Sequence, residues 1–152
     1  MAGFGTKEPT KPGTNRSERG FQAFKAAVKA QKAGDLKTAE KLYMQTIDIG
    51  INTELALSNI GLVYKETGRQ REAVDVYKRI IATKPSFEAY VNLANLFKDF
   101  GELKEAISCG NIAINLRPNS SEAFMNLGGY YHALRDLDQA LTFPLKSIEL
   151  NP

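Results

Sequence analysis

The chain has 152 residues, 43% hydrophobic and 24% charged, with a formal net charge of +3, the balance of an ordinary globular domain or a short repeat array. No run approaches the ~18 apolar residues of a membrane-spanning helix, and the N-terminus lacks the apolar core of a secretory signal, so no membrane partner and a cytoplasmic address are expected. With one histidine, His132, and one cysteine, Cys109, an internal disulfide is excluded and a metal or nucleophilic centre has little to draw on.

Residues 1–19 carry three glycines and two prolines with little that can be buried, which predicts a disordered N-terminal tail. Lys7, Lys11, Arg16 and Arg19 against Glu8 and Glu18 leave this tail faintly basic and the rest near neutral. A nucleic-acid surface wants a clustered Lys/Arg stripe, so no nucleic-acid partner is expected. Ala2 stands where a myristoylation site needs glycine. The Asn15-Arg16-Ser17 and Asn119-Ser120-Ser121 triplets read as tail and helix cap, since no secretory signal precedes them.

From residue 20 the chain repeats itself. Gly34, Gly68 and Gly101 stand 34 and 33 residues apart, with Arg135 another 34 on, and Ala39, Ala73, Ala106 and Ala140 keep the same steps. Pro85, Pro118 and Pro152 close successive units, because proline lacks the N–H that would continue a helix and clashes with the preceding turn. Four repeats are expected, at about 20–53, 54–86, 87–120 and 121–152.

In the first repeat Phe21, Phe24 and Val28 follow helical spacing, Asp35 is placed to cap a second helix from Leu36 to about Ile49, and Ile51 replaces the closing proline. The second repeat offers Leu57, Ile60-Gly61 and Tyr64, a turn at Gly68, then Ala73, Tyr77, Ile80 and Pro85. That is two short amphipathic helices joined by a glycine turn. In the third, Ser86 caps, Gly101 turns, and Gly110 replaces the aromatic of Tyr43 and Tyr77; either a close helix approach or a neighbour such as Phe143 fills the gap. In the fourth, Pro144 stands at the same place, where it predicts a kink.

The second-repeat pattern resembles the tetratricopeptide repeat. The resemblance implies an all-α, right-handed superhelical solenoid of antiparallel helix pairs, whose concave side is lined by the first helix of each repeat. On that side Asn59, Asn92 and Asn126 recur at 33 and 34 residues, and Asn95 adds a second amide in repeat three. Lys25 breaks the row in repeat one. The repeats resemble the bacterial type, and the row resembles the asparagine ladder in the repeat region of O-linked N-acetylglucosamine transferases, where such residues hold peptide main chain. An asparagine tip carries donors and an acceptor, the complement of a peptide group. Two roles fit it: clamping an extended segment, or satisfying local hydrogen bonds and solvating the groove. A dicarboxylate clamp for a C-terminal carboxylate does not fit, because Phe24 and Val28 stand at its first-repeat places and Glu88 at its third-repeat lysine. Tyr90, Phe124 and Met125 read as core or groove wall.

No catalytic residue, cofactor or metal is expected within these residues. His132 has no metal-ligating companions at a usable spacing, Cys109 sits on a helix as a small apolar residue, and Gly3-Phe4-Gly5 lacks the strand and the Gly-Lys-Ser/Thr of a phosphate loop. The acids Asp35, Asp75, Asp99, Glu102, Glu105, Asp136 and Asp138 fall at caps and outer faces. Leu141, Phe143, Leu145, Ile148 and Leu150 give the last helix more apolar side chains than one neighbour covers. Either the polypeptide continues or that face supports self-association. The expected function is a protein–protein interaction scaffold holding an extended peptide or partner helix. The alternative is the substrate-recruiting N-terminal region of a longer glycosyl-, sulfo- or methyltransferase, whose front ends this layout resembles.

Overall fold

The computed structural model describes residues 15–150, and among them the chain forms eight α-helices and no strand. They divide into two compact units, meeting at Thr53 and Glu54.

The first unit holds α1 (Arg16–Lys32) and α2 (Leu36–Ile49). Residues 16–19, expected within a disordered tail, are instead helical, because α1 begins at Arg16. Asn15 caps it by accepting from the backbone N–H of Ser17, and the Arg16 guanidinium donates to the Ile49 carbonyl at 3.0 Å. Residues 1–14 of that segment lie outside the described residues. The buried stripe of α1 is also smaller than its phenylalanines suggest. Gly20, Ala23 and Ala27 are buried while Phe21 stays half exposed, and a Cβ on Gly20 would lie 2.7 Å from Ile51 Cβ. Asp35 caps α2 as expected, accepting from Thr38 N–H at 3.1 Å. Opposite the small residues, fully buried Tyr43 donates its hydroxyl to Gln31 Oε1 at 2.7 Å.

The second unit stacks α3 (Thr53–Glu66), α4 (Gln70–Thr83), α5 (Phe87–Asp99), α6 (Leu103–Leu116), α7 (Ser121–Leu134) and α8 (Leu137–Leu150). Phe87, Val91, Ala113 and Ala123 form a core cluster of α5, α6 and α7, with Tyr90 and Ile114 packed against it. Ser86 and Ser120 cap α5 and α7 by accepting from the N–H groups of Ala89 and Ala123.

The four helix-pair turns share one motif. Gly34, Gly68, Gly101 and Arg135 all adopt left-handed φ values, from 65° to 79°, and each N–H returns to the carbonyl three residues back. The next N–H returns five residues back, from Asp35 to Ala30, Arg69 to Tyr64, Glu102 to Phe97 and Asp136 to Tyr131. This double bond pattern closes a helix and favours glycine, whose missing Cβ removes the clash with the carbonyl. Arg135 carries that clash, a cost of roughly 1–2 kcal/mol. Arg135→Gly is expected to raise unfolding free energy by about 1 kcal/mol in urea titration, and no gain would mean the arginine side chain offsets the strain.

A second regularity joins the helices of a pair. A Cβ on Gly61 would lie 2.7 Å from Tyr77 Cζ, and one on Gly128 would lie 2.6 Å from Cγ and Cδ of Pro144. Pro144 therefore fills, in repeat four, the place of the aromatic in repeat two, and α8 runs through it from Leu137 to Leu150. At Gly110 the expected filler is corrected. Leu127 Cδ1 and the Tyr130 ring, both on α7, lie 2.9 Å and 3.3 Å from where its Cβ would be. Phe143 instead stacks on Tyr131 and Phe124, at centroid distances of 5.4 and 6.2 Å.

Candidate peptide-binding face

The asparagine row lies in the second unit, on the first helix of each pair. Leu55, Asn59 and Leu62 on α3 fall at i, i+4 and i+7, one face of the helix; Glu88, Asn92 and Asn95 on α5, and Glu122, Asn126 and Gly129 on α7, repeat it. The opposite face of each helix is in the core, at Leu57, Ile60 and Tyr64 on α3 and at Leu93 and Ala94 on α5. Asn59, Asn92 and Asn126 are all half-buried. Among the described residues, none of these three side chains forms a hydrogen bond.

Asn95 differs. Its Oδ1 accepts the Tyr130 hydroxyl at 2.7 Å, across from α5 to α7. Burial, with smaller contributions from Cys109, Asp99 and Glu122, pushes the Tyr130 phenol well above its ordinary value, so it remains a donor. Tyr130 was not singled out from the sequence. Its signal was a hydroxyl on a row whose counterparts are Val63 and Leu96, because a buried tyrosine needs an acceptor.

The surroundings are mixed in character. Leu55, Leu62 and Met125 are exposed apolar groups, and Lys65, Lys98 and His132 are exposed toward the C-terminal ends of the same helices. Glu88 accepts from Arg117 at 2.6 Å, while that guanidinium stacks 3.9 Å over Phe87. Its own backbone N–H first, and Arg117 next, hold the Glu88 carboxyl below the usual range. Tyr90 and Phe124 are half-buried against core and neighbouring ring.

Cys109 is buried, and burial, reinforced by Glu105, pushes its thiol up, away from the reactive thiolate. Among the described residues no three His, Cys, Asp or Glu side chains are grouped to hold a metal ion, and no helix is long and apolar enough to cross a membrane. On α8, Leu137, Leu141, Leu145 and Ile148 are each at least 60% exposed, forming one apolar stripe.

Tyr77 presents the opposite case to Tyr130. Its hydroxyl is buried with no partner among the described residues, and burial pushes its phenol up to about 12. Tyr77→Phe is therefore expected to raise stability by about 1 kcal/mol. The folded pKa lies above the unfolded value of about 10, so the wild-type contribution is complete below pH 10 and lost as pH rises toward 12. Urea melts between pH 8 and about 11.5 should show a shallower alkaline decline in the variant.

Profiles of the tetratricopeptide repeat match residues 56–88, 87–120 and 121–152. The chain is 29% identical over 120 residues to human (Homo sapiens) protein O-mannosyl-transferase TMTC1, covering 78% of this chain. It is 28% identical over 108 residues to the probable UDP-N-acetylglucosamine–peptide N-acetylglucosaminyltransferase SPINDLY of Hordeum vulgare, covering 66% of this chain. It spans only 14% and 11% of those two proteins. A tetratricopeptide repeat protein from Parabacteroides merdae superposes with a TM-score of 0.81 at 21% identity, over 88% of this chain and 54% of that one. With three successive repeats matched on the helix pairs that carry the asparagine row, the chain belongs to the tetratricopeptide repeat family.

Proposed function

We propose that the face of α3, α5 and α7 binds an extended protein segment through Asn59, Asn92 and Asn126. The observation that carries this is three asparagines at equivalent places, half-buried and without hydrogen-bond partners among the described residues. A half-buried amide that the fold leaves unpaired retains donors and an acceptor for a peptide group. Packed helices stand ~8–10 Å apart and an extended chain rises ~3.3 Å per residue, so successive asparagines meet about every third residue of the bound segment. Main-chain recognition of this kind tolerates many sequences. Asn95, expected as a second amide of the clamp in repeat three, already accepts from Tyr130 and takes a different part.

Selection from a displayed library of unstructured dodecapeptides tests the reading. Recovery of peptides that bind the chain and compete with one another is expected; recovery of none, with the protein folded, refutes it.

A second reading is favoured by the names of the two relatives, both transferases of which this chain spans a small share. On it, the same face recruits a protein substrate for a catalytic domain elsewhere in a longer polypeptide. Intact-mass measurement of the native gene product separates the two, a mass well above 16.8 kDa favouring the second.

A further inference from the structure

Resting on the peptide-binding reading above, we propose that Tyr130 fixes the orientation of the Asn95 amide so that its Nδ2 donors, beside Asn92, take a main-chain carbonyl oxygen of the bound segment at repeat three. The Tyr130 hydroxyl donates to Asn95 Oδ1 at 2.7 Å, which uses one lone pair of that oxygen and sets the orientation of the amide. The Nδ2 group keeps both its hydrogens, on a half-buried side chain. Asn92 lies three residues earlier on α5, one turn away on the same face, and its amide is unpaired among the described residues.

Repeat three is alone in offering two amides. At the place of Asn95, α3 has Leu62, an exposed apolar side chain, and α7 has Gly129, where an added Cβ would meet no atom within 4 Å. The row Leu62, Asn95, Gly129 thus runs apolar, polar and open beside the uniform row Asn59, Asn92, Asn126. A uniform row lets a bound chain slip by one repeat. The second row, with three different members, makes repeat three the place where the main chain meets two side-chain amides rather than one. Tyr130 acts as the positioning residue, and nothing requires it to touch the segment.

The test uses a dodecapeptide from the displayed library, N-acetylated and C-amidated, titrated by calorimetry. Asn95→Asp keeps an acceptor for the Tyr130 hydroxyl and removes both donors, so it should hold the melting temperature near wild type while weakening binding at least about tenfold. Tyr130→Phe frees the Asn95 amide to rotate and should weaken binding about three- to tenfold. A purely structural tie between α5 and α7 would lower the melting temperature in Tyr130→Phe and leave affinity unchanged in both variants, which overturns the proposal. If Asn92→Ala weakens binding while Asn95→Asp and Tyr130→Phe do not, the asparagine row stands and this inference falls. If Asn92→Ala is also silent, or no peptide is selected, both fall.

Discussion

Gly128→Ala should lower the unfolding free energy by about 1–2 kcal/mol, although alanine is the better helix former. Its Cβ would lie 2.6 Å from two carbons of the Pro144 ring and 3.3 Å from the Ala140 carbonyl oxygen. The proline ring is tied into the α8 backbone, so relief requires moving α7 and α8 apart rather than turning a rotamer. Overpacking of that kind costs roughly 1–3 kcal/mol, against a helix-propensity gain of about 0.5–1 kcal/mol. The adjacent Gly129→Ala has nothing within 4 Å to meet, so only the gain remains and stability should rise. Gly61→Ala should resemble Gly128→Ala, because Tyr77 Cζ and hydroxyl lie 2.7 and 2.9 Å from its Cβ position and that ring is fully buried. Chemical denaturation of the three variants reads these signs directly. A stabilised Gly128→Ala would show that the Pro144 seat yields at little cost.

Replacing Asn92 and Asn126 together by alanine should weaken capture of a library-selected peptide by about 1–3 kcal/mol, or roughly 5- to 150-fold in Kd. Both amides are half-buried, so a bound segment would shield their hydrogen bonds from competing water, and neither amide has a partner to lose among the described residues. Helical circular dichroism and the melting temperature should therefore hold. Asn111 and Asn115 supply the control: they are exposed on α6, the second helix of its pair, and their double alanine variant should bind as wild type. Equal affinity of the two double variants would remove the asparagine row from the account.

What the sequence disclosed was whatever a single repeat specifies by itself. The glycine spacing located all four turns, because each turn is closed by the same pair of backbone bonds and so demands the same local chemistry. Ala39, Ala73 and Ala106 were legible as buried, while Ala140 is only half-buried on a helix whose other face is open. What escaped were contacts between repeats. Periodicity marks Gly110 as missing a side chain but not which ring leans over it, and Leu127 and Tyr130 reach it from the following helix. Asn95 was legible as a second amide in repeat three, but its bond to Tyr130 spans 35 residues and has no local signature. The start of α1 was missed for a related reason: Arg16 is anchored by the Ile49 carbonyl, far along the chain.

Side-chain amide resonances offer the most direct test of the peptide-binding face. On titration with a selected dodecapeptide, the 15N–1H signals of Asn59, Asn92 and Asn126 should move together, saturating at one Kd, while those of Asn111 and Asn115 stay in place. Saturable binding that moves the α6 asparagines and leaves the three on α3, α5 and α7 unchanged would contradict the account.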